Sequence, residues 1–288
     1  MKNAPKPLVS IIIPTYNSEK TIAKCLESIK NQSYKNIEII VVDSFSSDGT
    51  VEISKEFRVN IIQTDWKLLG ARYLGFEKSK GNFILMMDSD QILKNESVIK
   101  RALQLMKKYD MLVLEEFTYE PNSWIQKLFD ADRRLIHKLS KIHIDPLEGV
   151  LLARFYKREI LENAFKKIPR KLFPSVIAHD HAIIYYEAYK ISKRVGILSD
   201  ACWHIEPNSL WSLVKKNYRY GKSTYDLIKS GYYEDLLKKK VRLRKGALKD
   251  WKLGLQSHIL LLIKAIGYYV GYFSAGLGYL MSKANRKK

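Results

Sequence analysis

Short apolar runs alternate with segments of helical period along the first part of the chain, and this alternation restricts the fold more than any other feature. The apolar runs are strand-like and cover residues 8–13, 37–42, 60–62 and 83–87. Between them, apolar residues recur at helical spacing, for example at Ile22, Cys25, Leu26 and Ile29. Strands alternating with helices predict βαβ units and an α/β fold with a mainly parallel sheet.

Length and composition indicate a globular protein with one large core and an appendage. The chain has 288 residues, of which 46% are hydrophobic and 28% charged, with 14 Gly and 8 Pro. These values exclude a disordered or fibrous chain. Two cysteines, Cys25 and Cys202, cannot form a disulfide framework, and the N-terminus lacks a leader-like apolar segment. We therefore expect a cytoplasmic location.

The net charge is strongly positive, with 50 Lys and Arg against 30 Asp and Glu. Most of the excess lies in residues 209–288, which also contain the longest uncharged stretch, residues 265–282. Basic residues beside an apolar, aromatic helix suit an anionic membrane surface, whereas a nucleic-acid arm is usually basic and polar. We therefore expect a membrane partner and no nucleic acid. A basic nucleic-acid-binding protein is the alternative of a different class.

The uncharged stretch is close to the minimum of about 20 residues that a spanning helix needs. Lysines precede it at Lys252 and Lys264 and follow it at Lys283, so positive charge gives no orientation across a bilayer. We expect an interfacial or shallowly inserted helix. A single spanning helix stays open, as does a helix packed on the globular domain through a stripe of small residues, Gly267, Gly271, Ser274 and Gly278.

Polar residues follow three of the predicted strands, where parallel sheets bind their ligands. They occupy residues 14–17, 43–50 and 88–90. Asp88 and Asp90 directly follow an apolar run, with no basic residue adjoining them in the sequence. Two close carboxylates repel each other unless a cation lies between them, and oxygen ligands suit Mg²⁺ or Mn²⁺. A polar turn is the simpler alternative.

A second Asp-x-Asp triplet, Asp130 and Asp132, lies in a different context. Its flanking apolar residues keep helical spacing, and Arg133 and Arg134 follow it. We interpret these two acids as part of a solvated helix face.

Four segments resemble, in order and spacing, the inverting family-two glycosyltransferases of GT-A fold. They are PLVSIIIPTYN, VVDSFSSDGT, GARYLG and KGNFILMMDSD. The resemblance is strongest over residues 7–95 and continues to about residue 222. It implies a GT-A (Rossmann-like) catalytic domain over residues 1–208, with a nucleotide-sugar half at 7–95 and an acceptor half at 96–208. Residues 209–288 would form a basic, helical, membrane-associating extension.

The same resemblance implies a binding site for a nucleotide-diphosphate sugar, UDP- or GDP-linked. Its donor-binding residues would be Pro14, Thr15, Tyr16, Asp43, Arg72, Asp88 and Ser89. Asp43 would bond the base, and Arg72 would lie near the nucleotide or its diphosphate, although an arginine on a helix surface is the alternative. Asp90 would hold a divalent cation, Mn²⁺ or Mg²⁺, and His204 could complete the metal site.

Inversion needs a base that takes the proton of the acceptor hydroxyl. Asp180 is the candidate, in a segment where similar enzymes often carry Glu-Asp and this chain has His179 and Asp180. A helix-capping aspartate is the alternative for Asp180. Glu115 and Glu116, after the apolar run 111–114, are the reserve candidates for acceptor binding or for the base.

These observations predict a metal-dependent inverting glycosyltransferase at the cytoplasmic membrane face. Its acceptor would be a hydroxyl of a lipid-linked or envelope glycan. The alternative within the family is a polyprenyl-phosphate sugar synthase, whose phosphate acceptor needs little base catalysis. Neither the sugar nor the acceptor is encoded in these motifs.

Overall fold

The computed structural model describes residues 6–140, 144–147, 151–240 and 250–285. The strands in these residues are β1 (Val9–Thr15), β2 (Ile37–Asp43), β3 (Asn60–Gln63), β4 (Phe83–Met86), β5 (Gln91–Leu93), β6 (Met111–Thr118), β7 (Ala153–Lys157) and β8 (Val195–His204). The helices are α1 (Glu19–Lys30), α2 (Thr50–Glu56), α3 (Leu68–Lys78), α4 (Val98–Leu105), α5 (Trp124–Ser140), α6 (Arg158–Lys167), α7 (Asp180–Ile191), α8 (Leu210–Lys229), α9 (Glu234–Lys240) and α10 (Trp251–Asn285).

The strands form one mixed sheet in the order β3-β2-β1-β4-β7-β6-β8-β5. The first four strands of that order pair in parallel, and β6 and β8 also pair in parallel. Strand β7 runs antiparallel to both of its neighbours, and β5 runs antiparallel to β8. The four predicted apolar runs become β1 to β4, which confirms the predicted α/β sheet flanked by helices.

The sheet is buried on both faces, as a parallel sheet requires. Alternate residues of β1 belong to opposite cores, since Ile12 packs into one apolar cluster while Ile11 and Ile13 pack into the other. Helices α3, α6 and α7 cover the first face, and α1 and α4 cover the second. The carboxyl ends of β1, β2 and β4 therefore meet at one edge of a rigid sheet.

Helix α10 packs on the body through one face. Its first half contacts α5, where Leu260 joins a small apolar cluster with Ile125 and Leu213. Its second half lies against α8 at backbone contact distance, because an added Cβ on Gly221 or Gly271 would lie about 2 Å from a carbonyl oxygen of the facing helix. The predicted stripe of small residues therefore packs against α8 at Gly267, Gly271 and Ser274, while Gly278 has nothing within 4 Å.

The opposite face of α10 is apolar and exposed. Its exposed large apolar residues recur at helical spacing and are Trp251, Leu255, Ile259, Leu262, Ile266, Tyr269, Val270, Phe273, Leu277, Tyr279 and Leu280. By length and hydropathy, α10 is the one helix of the described residues that could cross a membrane, with 17% of its most apolar 18-residue window buried. The helix therefore has one face packed on the protein and one face that the described residues leave uncovered.

The interpretation of the second Asp-x-Asp triplet as a solvated helix face is half right. Asp130 lies near the surface of α5, 2.7 Å from Arg134. Asp132 is only 4% exposed and accepts a hydrogen bond of 2.5 Å from Ser257 of α10. The interpretation is wrong for Asp132 because α10, more than 100 residues later in the chain, covers that position.

We expect Gly271→Ala to destabilise the contact between α8 and α10. A Cβ at Gly271 would lie 2.0 Å from the Tyr218 carbonyl oxygen, and such overpacking costs about 1–3 kcal/mol. Gly278→Ala is the matched control, since the same change in open space gains up to about 1 kcal/mol of helix propensity. Thermal unfolding followed by circular dichroism measures both. Equal shifts in the two variants would contradict the close packing.

Candidate active site

Two interlocked turns form the first part of the site, at the carboxyl ends of β1 and β2. The carboxylate of Asp43 is fully buried and accepts hydrogen bonds from Thr15 Oγ1 at 3.0 Å, from Ser46 N at 2.9 Å and from Ser46 Oγ at 2.5 Å. The backbone N–H of Asn17 donates to Ser46 Oγ at 2.9 Å. These hydrogen bonds let the Asp43 carboxylate hold both turns in place, whether or not it also contacts a ligand.

Tyr16 lies between Thr15 and Asn17, which make these contacts, and its side chain is half exposed. The guanidinium carbon of Arg219, on α8, stands 5.4 Å from the centre of the Tyr16 ring, within cation–π range. Pro14, by contrast, is buried in β1 opposite Val42. Helix α8 thus reaches across the open edge of the sheet to the turn after β1.

Three side chains of metal-ligating types meet where the turn after β4 approaches the end of β8. One ligand atom from each of Asp88, Asp90 and His204 lies within 4.8 Å of the other two. The chain brings them together because β5, directly after Asp90, pairs antiparallel with the end of β8 in the register Gln91↔His204. The Ile205 amide also donates to the Asp90 carbonyl at 2.8 Å.

The donor set suits a divalent cation with mixed ligands. Asp90 Oδ1 is buried and accepts no hydrogen bond from the described residues, and His204 Nε2 lies 3.4 Å from it. Glu206 Oε1 lies 3.3 Å from His204 Nδ1. His204 Nδ1 is buried and makes no hydrogen bond among the described residues, whereas a metal-binding histidine usually donates a hydrogen bond from its other ring nitrogen. Lys216 Nζ lies 3.8 Å from Asp90 Oδ2.

Asp88 has different surroundings, because cations of the protein itself neutralise it. Arg72, 1% exposed on α3, contacts Asp88 Oδ1 and donates from Nε to Asp180 at 2.6 Å. Arg154, on β7, lies 2.9 Å from Asp88 Oδ2. Burial raises the pKa of Asp88, but Arg154 and Arg72 outweigh it and hold that pKa well below its usual value. Burial likewise raises the pKa of Asp180, and Arg72 more than reverses the effect.

The ion-pair network continues to β6 and α5. Arg154 Nε lies 3.1 Å from Glu116, and Arg133 on α5 lies 2.5 Å from the same carboxylate and also contacts Glu206. Burial raises the pKa of Glu116, but Arg154 and Arg133 lower it to about 2. Glu116, Arg133 and Arg154 line a cavity of about 110 Å³ between β6, α5 and β7.

A buried imidazole completes the pocket around Asp88. His181 Nε2 lies 3.5 Å from Asp88 Oδ1 and contacts Arg154. Burial lowers the pKa of His181 to about 4, and Arg154 and Arg72 add to the effect. His181 is therefore neutral at pH 7.

His179, which directly precedes Asp180, occupies the cap position of α7 with a φ of +67°. Asp180 is therefore not the capping residue that sequence reasoning kept as an alternative.

The structure brings most of the predicted site residues to one edge of the sheet. Ser89 lies beside Asp88 and donates to Ser18 Oγ at 2.9 Å. Arg72 is buried at the site, so the alternative of a helix-surface arginine is wrong. Glu115 is separate from its neighbour Glu116, because its carboxylate accepts from the Asp200 amide at 2.8 Å. The roles assigned to all these residues stay predictions.

Sequence reasoning missed four charged or titratable residues of the site. They are Arg133, Arg154, His181 and Glu206. Arg154 carried a usable signal, since a single arginine interrupts the apolar segment LLARFY and a buried strand accommodates one only beside an acid. Arg133 directly follows the triplet of Asp130 and Asp132 in the sequence, yet it contacts Glu116 and Glu206.

Comparison with known proteins identifies the family of the chain. The family model for glycosyl transferase family 2 matches residues 10–163. The glycosyltransferase EpsH of Bacillus subtilis (strain 168) is 41% identical over 168 residues, which span 54% of this chain and 48% of EpsH. The poly(ribitol-phosphate) beta-N-acetylglucosaminyltransferase TarS of Staphylococcus aureus is 25% identical over 206 residues, 68% of this chain and 35% of TarS. The chain thus covers about half or less of these two relatives.

Solved structures show the same fold at low sequence identity. Residues 1–349 of S. aureus TarS in complex with UDP-GlcNAc match with a TM-score of 0.53 at 18% identity, covering 94% of this chain and 92% of that one. Glucosyl-3-phosphoglycerate synthase from Mycobacterium tuberculosis, in complex with Mn²⁺, UDP-glucose and phosphoglyceric acid, matches with a TM-score of 0.53 at 15% identity, covering 83% and 82%. The family model covers more than half of the sequence, and the chain belongs to glycosyl transferase family 2.

Proposed function

We propose that this protein is a metal-dependent inverting glycosyltransferase that moves a sugar from a nucleotide diphosphate to an acceptor hydroxyl. The observation that carries the proposal is the cluster of Asp88, Asp90 and His204 at the sheet edge of a family-two chain. Uridine donors are the first to test, because the similar TarS and glucosyl-3-phosphoglycerate synthase structures hold UDP-sugars. GDP-linked donors are the alternative.

In this proposal the metal ligands are Asp90 and His204, with Glu206 orienting the imidazole. Asp90 Oδ1 has no hydrogen-bond donor among the described residues, whereas Asp88 already faces two guanidinium groups. A bound Mn²⁺ or Mg²⁺ would neutralise the charge that the nucleoside diphosphate carries as it leaves. Asp88 and Ser89 would instead face the ribose and the sugar.

The nucleotide would lie along the carboxyl ends of β1 and β2. Asp43, Thr15 and Tyr16 would contact the base and ribose, with Pro14 shaping the turn from within β1. Arg72 would stabilise this site, because its guanidinium pairs with both Asp88 and Asp180. Lys216 and Arg219 on α8 would add positive charge on the open side, near Asp90 and Tyr16.

Asp180 is the proposed general base. The acceptor oxygen attacks the anomeric carbon, the bond from that carbon to the diphosphate oxygen breaks, and the acceptor proton passes to the Asp180 carboxylate. Arg72 keeps this carboxylate ionised and holds it at the N-terminus of α7. Glu116, beside the cavity with Arg133 and Arg154, is the proposed acceptor-side residue, and Glu115 is a weaker candidate because it faces Asp200.

We further propose that the enzyme works at an anionic membrane surface on a lipid-linked or envelope glycan. The uncovered face of α10 supports this proposal, because an apolar helix face of that length is rare on soluble monomers. Trp124, Leu210 and Trp211, exposed at the starts of α5 and α8, add aromatic and apolar surface of the kind found at membrane interfaces. The net charge of +20 adds electrostatic attraction.

We expect Asp90→Asn to weaken Mn²⁺-dependent binding of UDP by about tenfold or more, as loss of metal-site groups typically does. Asp90 is the better position than Asp88, whose removal would take one carboxylate partner from two buried arginines. Asp130→Asn, in the other Asp-x-Asp triplet, is the matched control and should bind as the wild type. Titration calorimetry with and without Mn²⁺ is the measurement. Equal affinity of wild type and Asp90→Asn in Mn²⁺ would contradict the metal site.

We expect Asp180→Asn to slow transfer about a hundredfold or more, as loss of a general base does, while UDP affinity stays within about twofold. Hydrolysis of UDP-GlcNAc, with water in place of the acceptor, is the proposed assay. Asp200→Asn, exposed on β8 and paired with Lys94, is the control. Near-normal turnover of Asp180→Asn would contradict the assignment and favour the polyprenyl-phosphate alternative.

We expect the combined change of Leu262, Ile266 and Phe273 to Glu to abolish binding to phosphatidylglycerol vesicles. All three side chains are exposed on the uncovered face of α10, so the fold is retained while the apolar face is lost. Ile191→Glu, an exposed position on α7, controls for a single added charge. Vesicle flotation is the measurement. Binding of the triple variant at the wild-type level would contradict the membrane role of α10.

A further inference from the structure

Phe45 has a backbone conformation that a bulky residue rarely adopts. Its φ is +54°, in the left-handed region where the Cβ of an L-residue is crowded. Its side chain is nevertheless 58% exposed, so burial of the ring does not offset the strain. Residues held in such conformations cluster at functional sites.

Two other residues with positive φ, Tyr233 and Arg58, have a structural explanation. Tyr233, with a φ of +61°, packs its ring against the larger core cluster and against Tyr186. Arg58, with a φ of +51°, ends the turn between α2 and β3 at the opposite edge of the sheet from the candidate active site. Phe45 differs from Tyr233 because its ring faces solvent, and from Arg58 because it lies beside Asp43.

The contacts on either side of Phe45 impose its conformation. Ser44 Oγ donates to the Trp66 carbonyl at 3.1 Å, and the Ser46 amide donates to Asp43 at 2.9 Å. Ser46 is also bonded to Asn17, which directly follows Tyr16. The turn that carries Phe45 is therefore fixed to the turn that carries Tyr16, and two exposed rings flank the buried Asp43.

We infer that Phe45 supplies an aromatic surface on which the base of the nucleotide donor stacks. The inference rests on the proposed function and adds to it a residue that contributes affinity for the nucleoside. Every base has a π-face, so stacking contributes affinity with little preference among bases. The strained turn presents the ring to solvent in the free protein, and the base covers it when the donor binds.

Phe45→Gly tests the inference because it acts in opposite directions on binding and on stability. Loss of the ring should weaken UDP binding in Mn²⁺ about tenfold, the usual effect of removing one stacked aromatic. Thermal unfolding should occur at an equal or higher temperature, since glycine adopts a positive φ without crowding. Phe45→Tyr keeps the ring and should bind UDP as the wild type does. Inorganic diphosphate with Mn²⁺ has no base and should bind Phe45→Gly and wild type equally.

Arg58→Gly is the matched control, since it relieves a similar conformation far from the site and should leave UDP affinity unchanged. Equal UDP affinity of Phe45→Gly and wild type would overturn the inference and leave the proposed function intact. An equal loss of diphosphate binding, or a lower unfolding temperature in Phe45→Gly, would also overturn it, because the ring would then serve the turn and not the base. Failure of the wild type to bind any nucleotide would overturn the proposed function together with the inference.

Discussion

Neutralisation of Asp88 by two guanidinium groups is the interaction on which the rest of the site depends. Asp88 ends a buried strand, and Arg72 from α3 and Arg154 from β7 meet it on its two oxygens. The same arginines reach Asp180 and Glu116, so one network positions the proposed donor, base and acceptor residues. A change at Asp88 would therefore disturb all three.

This network also separates the roles of two acids that are two residues apart. Asp88 obtains its countercharge from the protein, whereas Asp90 Oδ1 obtains no hydrogen bond from the described residues and faces His204. Glu206 lies beside Nδ1 of the His204 imidazole, and Lys216 lies beside Asp90. Asp90 and His204 are accordingly the residues that we propose as metal ligands, as the family resemblance implied.

Much of the fold was predictable from the sequence because its signals are local. The apolar runs of β1 to β4 and the helical spacing of α1 depend only on neighbouring residues, and parallel strands necessarily bring Asp43 and Asp88 to one edge. The apolar segment around Arg154 indicates an acidic partner for this arginine, but Asp88 is 66 residues away and no local pattern identifies it as that partner. Asp132 was misread for the same reason, since its partner Ser257 lies on α10.

Helix α10 has two faces with different surroundings. Glycines on one face allow backbone contact with α8, while the other face is left uncovered by the described residues. Sequence reasoning treated packing and membrane contact as alternatives, yet a helix has room for both. Helix α8, which packs against α10, also carries Lys216 and Arg219 at the rim of the site.

Anomalous diffraction at the manganese edge, from crystals grown with UDP and Mn²⁺, tests the central claim most directly. The account predicts a manganese peak within bonding distance of Asp90 and His204 Nε2, with Arg72 and Arg154 still on Asp88. A peak bound to Asp88 and away from His204, or ordered UDP with no manganese, would contradict it.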